Sequence, residues 1–499
     1  MFESFYNGRI LIVDLAKGTT QEESLDEEMI KQYLGGAALN TALFEKNADS
    51  DPIIIGCGPL TASFAPGSCL GVMTARSPLS RQLVHVPLTW QTAVETKLSG
   101  FDFLVFLGKA PEPVHLWLHD ELADIKPSSG INEKDAWEIT DFLREEYGDE
   151  SIQVLGVGPA GTKGSSASRV SENYWGSKDK FALGAVWGEK GLKAIASRGL
   201  GFFTQPDEVF PKAMELKDLL LAGKIKGKGG LLEMLDSLGA NGKAKGILEK
   251  FSHRRNACFN CPYACNEFLM MEEEPASRKR SDKEEPGLQI NNVSDLLALS
   301  PFGEDSLELL RKALKLGLDP TFCGLIIKKK GLDAPGAIKE LDRLAREGGE
   351  LGKEDLPNFS GVSPWPEEVK MESFLVQALG VFSNAVPPRP VIASYEDFSI
   401  SEDPVERAQW WMKRQGIAYV LGLCPQLALI SPELKGEDMV ELLKAGNGWG
   451  ELSVGKLEEI VKNMIVSSLK SKEGEEDINQ SLKPEGFDES LVKLKEKFA

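Results

Sequence analysis

The rhythm of apolar and polar positions changes near Gln205-Pro206. Before that point the chain carries short apolar runs at 9–14, 52–56, 70–74, 103–107 and 152–156. Runs of this length, closed by turn residues, predict β-strands. Gly58-Pro59, Ala65-Pro66-Gly67 and Gly158-Pro159-Ala160-Gly161 supply the punctuation. Helical spacing is interspersed at 27–34 and 134–147. Beyond 205 the apolar positions recur every three or four residues over 210–221, 231–238, 305–316, 337–347, 406–415 and 456–471, which predicts amphipathic helices. Two polar tracts, 272–286 and 471–479, lack apolar anchors and read as loops. The pattern predicts an α+β protein with a β-rich N-terminal domain over 1–205. Two mainly α-helical domains follow, 206–355 and 356–499, with a soft boundary between Lys353 and Pro364. No internal repeat stands out.

Composition narrows the function classes. A chain of 499 residues has room for two to four domains and a large core. Its net charge of −19 argues against a sequence-independent grip on nucleic-acid phosphates and against anionic membranes. The basic runs Lys224/Lys226/Lys228, Arg278-Lys279-Arg280 and Lys328-Lys329-Lys330 read as solvated faces, with docking of an acidic redox partner as the minority reading. The apolar stretch 418–430 is too short to span a membrane and contains Pro425, so no membrane insertion is expected. Seven cysteines form no disulfide-like spacing, and Met1-Phe-Glu-Ser opens no secretory signal, so a cytoplasmic location is expected.

Chemistry concentrates in Cys258-Phe-Asn-Cys261-Pro-Tyr-Ala-Cys265, with Cys424 far downstream. Three thiols within eight residues, stiffened by Pro262, can aim their sulfurs into one small volume. Three plus one distant cysteine is a common ligand set for a [4Fe–4S] cluster. Structural zinc is the alternative, because C-x2-C alone suits zinc equally. The triple-Cys run is expected between helical segments. Cys57, Cys69 and Cys323 read as packed, unreactive thiols. The four histidines, His85, His115, His119 and His253, offer no obvious proton-transfer group.

Many short motifs, in order, resemble the tungsten-containing aldehyde ferredoxin oxidoreductase family. They run from Asn7-Gly8-Arg9 and Tyr33-Leu34-Gly35-Gly36-Ala37 through Gly58-Pro59-Leu60-Thr61 and Ser77-Pro78-Leu79. They continue with Gly158-Pro159-Ala160-Gly161, Leu183-Gly184-Ala185-Val186-Trp187-Gly188 and Gly191-Leu192-Lys193-Ala194. The cysteines fall in the family's order, and Gly448-Trp449 resembles its C-terminal region. The resemblance implies a two-sheet base domain for a tungsten bis-pterin cofactor, two covering helical domains, and a nearby [4Fe–4S] cluster held by Cys258, Cys261, Cys265 and Cys424. It implies oxidation of an aldehyde-type substrate, with electrons leaving through the cluster to ferredoxin or another iron-sulfur redox protein. The protein's part is placement, solvent exclusion and tuning of potential.

The chain departs from that family at the pterin site. The paired Asp-x-x-Gly-Leu motifs correspond to Leu314-Lys-Leu-Gly317-Leu318-Asp319 and Tyr419-Val-Leu-Gly422-Leu423-Cys424, so both leading carboxylates are missing. If a pterin is bound, the positions carried over are Gly317, Leu318, Asp319, Gly422, Leu423 and Lys180. The family's Gly-Gly-Arg is Gly67-Ser68-Cys69 here, and its phosphate-cradling glycine turn is Lys178-Asp179-Lys180-Phe181-Ala182. Its small Ser-Gly-Gly segment reads Leu88-Thr89-Trp90. The family's catalytic Glu falls near Gln289, and Val386-Pro387-Pro388-Arg389-Pro390 stands where its Gly-Cys-His should be. No catalytic residue follows. The rival expectation is a paralogue that kept the cluster and lost tungstopterin. It would serve as an electron-transfer or scaffold subunit, alongside a catalytic paralogue or as a homodimer.

Overall fold

The computed structural model describes residues 5–202, 205–239, 242–271, 287–346, 370–383, 389–446, 449–471 and 484–499. The polar tract at 272–286, most of that at 471–479, the soft boundary at 353–364, Gly448 and 386–388 lie outside them.

Eleven strands in the first two hundred residues build two sheets. The first contains β1 (Arg9–Asp14), β2 (Thr19–Ser24), β3 (Ile53–Cys57), β4 (Gly71–Arg76), β5 (Leu83–Leu88) and β6 (Phe103–Leu107), in the order β2-β1-β6-β3-β4-β5. Only β1 and β6 run parallel. The second contains β7 (Val114–His119), β8 (Leu122–Pro127), β9 (Gln153–Gly156), β10 (Ser171–Glu172) and β11 (Leu192–Arg198), in the order β10-β9-β11-β7-β8. The pleat sends alternate side chains to opposite faces. Leu11 and Val13 of β1 therefore join Ile53, Ile55, Leu104 and Phe106 in a core shared with Leu116, Leu118, Leu155 and Ile195 of the second sheet. Ile10, Ile54, Phe103 and Val105 face the other way, into the helices.

The five strands expected from apolar runs form with ends shifted by at most two residues. The other six carry signals of mixed kind. β2 is polar and exposed at the sheet edge, and β5 contains Pro87. In the helical part the helix Asp305–Leu316 forms as expected, while the expected 406–415 helix extends to Pro404–Leu421. Asp403 caps its first turn, and Gly422 in a left-handed conformation ends it.

One expectation fails. The triple-Cys run is not between helices. A third, antiparallel sheet, β12 (Ser252–Asn256), β13 (Asn266–Met270) and β14 (Gly287–Ile290), frames it, and the run is the β12–β13 connection. The exposed charged strand Ser-His-Arg-Arg-Asn hides this hairpin from a reading by hydrophobicity. No helix among the described residues is long and apolar enough to cross a membrane.

Candidate thiol site

The β12–β13 connection turns at Asn260, which adopts φ +47°. Its backbone closes on itself where Cys261 N–H donates to the Cys258 carbonyl at 3.1 Å. Tyr263 is fully buried beneath it, and the Asn266 side chain donates to Cys258 Sγ at 3.7 Å. Cys424 arrives from another direction, at the junction of the helices Pro404–Leu421 and Pro425–Ile430. The loop between β3 and β4 lies between these two segments. Gly67 N–H donates to the Asn260 carbonyl at 2.9 Å, and the Gly67 carbonyl accepts from Cys424 N–H at 2.8 Å. Leu60 N–H donates to the Leu421 carbonyl and Leu70 N–H to the Gly422 carbonyl. Gly58 and Gly422 permit this approach, since a Cβ on Gly58 would stand 2.2 Å from Gly422 N and one on Gly422 would stand 2.2 Å from Thr61 Oγ1.

Five thiols share this volume. Cys69 lies in hydrogen-bonding reach of both Cys258 and Cys424, and Cys261 of Cys424, while Cys265 interacts electrostatically with Cys258 and Cys424. Contact with Cys69 holds the Cys258 thiol below its ordinary range. Contacts with Cys261 and Cys69 do the same, more strongly, for Cys424. The partners Cys69 and Cys261 are pushed up correspondingly, and burial pushes Cys265 up. No group of three or more His, Cys, Asp or Glu side chains among the described residues is placed to hold a single metal ion. The thiols interact side by side, Cys258 with Cys69, Cys69 with Cys424, and Cys424 with Cys261. A soft, mostly buried sulfur donor set of this kind fits an iron–sulfur cluster.

Sequence reasoning missed three residues here. Cys69, expected as a packed bystander, is packed against the other thiols. Lys178 is 5% exposed, and its ammonium faces Cys265, Cys424, Cys258 and Cys69. Burial alone would lower its pKa, yet the thiols hold it above the ordinary lysine range. Glu172 is fully buried beside Cys258 and Lys178, and accepts hydrogen bonds from Thr89 N–H at 3.1 Å and Thr92 Oγ1 at 2.9 Å. Burial pushes its carboxyl up to about 8. Cys57 and Cys323 are buried in packed positions away from this set, and burial pushes the Cys57 thiol up to about 12.

The positions carried over for a pterin are differently occupied. Gly317 and Gly422 are the left-handed C-caps of their helices, and Leu318 and Leu423 are buried core residues. Lys180 Nζ is 2.7 Å from Asp295 Oδ1, 2.7 Å from Asp319 Oδ1 and 2.9 Å from Thr321 Oγ1. Arg169 completes this buried network, its Nη1 2.9 Å from Asp295 Oδ2. Burial alone would raise the Asp295 carboxyl, but Lys180 and Arg169 hold it well below the usual carboxylate range. Leu314 lines a cavity of ≈ 10 Å³ with Gln289, Asn292 and Asp295, room for one water molecule. Tyr419 is fully buried among Gln415, Ser383 and Phe382. Phe181 is buried where a glycine would let backbone approach phosphate. These residues do not fit a tungsten bis-pterin: its carboxylate acceptors are apolar or aromatic here, and its cation is already paired.

A two-sheet base carries a helical part, and the thiols gather where the two meet. Residues 10–199 match the aldehyde ferredoxin oxidoreductase N-terminal domain. The tungsten-containing aldehyde ferredoxin oxidoreductase of Pyrococcus abyssi is 30% identical over 292 residues, covering 52% of this chain and 48% of the relative. That of Pyrococcus furiosus is 29% identical over 291 residues, with the same coverage. The WOR-like subunit of aliphatic sulfonate oxidoreductase from Pyrococcus furiosus is 27% identical over 219 residues, 39% of this chain and 35% of that subunit. The matches thus span about half the length of the tungsten-containing relatives, or less. Among solved structures, the active-site complex BamBC of benzoyl coenzyme A reductase with 1,5-dienoyl-CoA shares the fold, with TM-score 0.76 and 18% identity over 98% of this chain and 94% of that one. Residues 10–199 thus carry an aldehyde ferredoxin oxidoreductase N-terminal domain, and about half of the chain is similar to tungsten-containing members of that family.

Proposed function

We propose that the chain is an oxidoreductase-family electron-transfer protein that holds a [4Fe–4S] cluster on Cys258, Cys261, Cys265 and Cys424 and works within a larger redox complex. The carrying observation is the contrast between two halves of one scaffold. The thiol half is assembled and lined by a buried cation, whereas the pterin half is closed by its own ion pairs. When bound, the cluster would store and pass single electrons. The chain's residues would supply four thiolates, exclude water through Tyr263 and the 58–70 loop, and set the local field through Lys178. Similarity to a WOR-like subunit and to a chain of the BamBC complex supports a role as one subunit of an assembly, with a catalytic paralogue as the partner class. An iron–sulfur carrier such as a ferredoxin suits the other end of the transfer. A second reading, oxidation of an aldehyde-type substrate at tungsten with electrons passed to a ferredoxin-like acceptor, draws on the 30% identity to tungsten-containing relatives.

Metal and chromophore content after anaerobic purification decides between them. About four iron and four sulfide per chain, with no tungsten, molybdenum or pterin, is the expected result. Tungsten with pterin in stoichiometric amount would restore the enzyme reading. One zinc without labile sulfide would overturn both and return the site to a structural staple.

A further inference from the structure

Lys178 is a cation that the described fold gives no ordinary reason to bury. It sits in the segment after β10, 5% exposed, and among the described residues its ammonium joins no salt bridge. Its near neighbour Lys180 pairs with two carboxylates, Asp319 and the Asp295 it shares with Arg169. Lys178 has thiols instead: Cys265, Cys424, Cys258 and Cys69. The segment is fixed from both sides. The Lys178 carbonyl accepts from the Ser383 hydroxyl, and the Ser177 hydroxyl accepts from Asp179 N–H at 3.1 Å while donating to the Val170 carbonyl. Backbone held this firmly keeps the ammonium from retreating to water. Glu172, which Thr89 and Thr92 hold by hydrogen bonds, also interacts with it electrostatically. Burying a charge is costly unless an opposite charge meets it. Four thiolates around an iron–sulfur core carry net negative charge, and that charge grows by one when an electron is added.

We propose that Lys178 is the built-in counter-cation of the thiol site, a positioning residue whose fixed charge favours the reduced form of an iron–sulfur cluster held there. This rests on the cluster reading above. The step it affects is the addition of one electron from a low-potential donor to the cluster, with no bond formed or broken and no proton taken up. A nearby positive charge stabilises the more negative product, so the reduction potential rises; hydrogen bonds and net charge are the levers that set such potentials.

The experiment is an anaerobic redox titration of the full chain, followed by the paramagnetic signal of the reduced cluster. Lys178→Met is expected to make reduction at least tenfold less favourable, a shift of about 59 mV to lower potential for one electron. Lys178→Arg is expected to stay near the parent value. An intact cluster in Lys178→Met with unchanged potential overturns the proposal. Should Lys178→Met and Lys178→Gln lose iron altogether, retention of iron in Lys178→Arg supports a requirement for charge, and loss in all three overturns it in favour of shape. Absence of iron and sulfide from the parent protein is a different failure, that of the cluster reading itself.

Discussion

The Gly67 carbonyl accepts the backbone N–H of Cys424 at 2.8 Å, which ties the downstream cysteine to a loop of the first sheet. The same glycine donates to Asn260 between Cys258 and Cys261, so one residue sets the relative position of two distant thiol segments. Gly67 has φ +75°, and a Cβ there would come within 2.9 Å of Leu427 Cδ2 and 3.3 Å of Cys424 Cβ. Left-handed backbone costs an L-residue about 1–2 kcal/mol. Gly67→Ala is therefore expected to destabilise the protein by about 1–2 kcal/mol and to speed iron release to a chelator. A parent-like release rate would show that the loop does not set thiol geometry.

The second test concerns the closed half of the scaffold. If Lys180 waited for a phosphate, removing it would relieve the cofactor-free protein or leave it unchanged. With Lys180 already bound to Asp295 and Asp319, Lys180→Met leaves buried carboxylates uncompensated. The expected loss is about 3–5 kcal/mol, the usual cost of breaking one side of a buried pair. Guanidinium unfolding of the tungsten-free protein measures it. A loss below about 1 kcal/mol, the scale of a surface pair, would contradict the network's structural role.

How much of this was legible depends on where each signal lives. The strands of the sheet centres were legible because fully buried strands read as continuous apolar runs, as in β3. β2 and the β12 hairpin were not, because polar edge strands form by pairing with a neighbour that sequence does not name. The convergence of Cys258, Cys261 and Cys265 was plain from spacing, and Cys424 stood out as the distant fourth cysteine, an assignment that the family resemblance also implies. Cys69 was set aside because its partners lie 189 and 355 positions away (258 − 69 and 424 − 69). The chain also uses one packing device twice. Leu316-Gly317-Leu318-Asp319-Pro320 docks Gly317 against Gly158 and sends Asp319 N–H to Ala167. Leu421-Gly422-Leu423-Cys424-Pro425 docks Gly422 against Gly58 and sends Cys424 N–H to Gly67. The duplication is in three-dimensional contacts, and only five residues of each copy betray it in sequence.

His85 links the first sheet to the helix Val454–Lys470. Its Nδ1 lies 2.9 Å from Thr74 Oγ1 and its Nε2 3.1 Å from Ser468 Oγ. Burial pushes its pKa down to about 3, so the folded protein holds it neutral. The unfolded chain protonates near 6.5. Its folded pKa is thus depressed, and the stability it contributes is present above about pH 6.5 and falls as pH drops toward 3. At pH 5 the loss from this group is about 2 kcal/mol. Comparing urea midpoints of the parent and His85→Asn at pH 7.5 and 5 isolates the effect from the carboxylates. The variant should be less stable at pH 7.5 and lose less on acidification. Equal losses in both proteins would mean that His85 is not buried neutral.

The ligand set itself is open to a paired substitution. Five thiols share a region where four would suffice for a cluster, and Cys69 interacts with both Cys258 and Cys424. In the proposed set Cys424 is the fourth ligand and Cys69 a neighbour. Cys424→Ala should then lose iron, sulfide and visible absorbance together. Cys69→Ala should keep all three, because a small buried residue of similar volume replaces a thiol that binds no iron. Both cysteines are buried in the same packed region, so a general folding defect would affect the two variants alike, and far-ultraviolet circular dichroism of each checks for it. The reverse pattern, iron lost from Cys69→Ala and kept in Cys424→Ala, would move Cys69 into the ligand set. Cys424 would then be the neighbour, and the β3–β4 loop, in place of the helix junction, would supply the fourth thiolate.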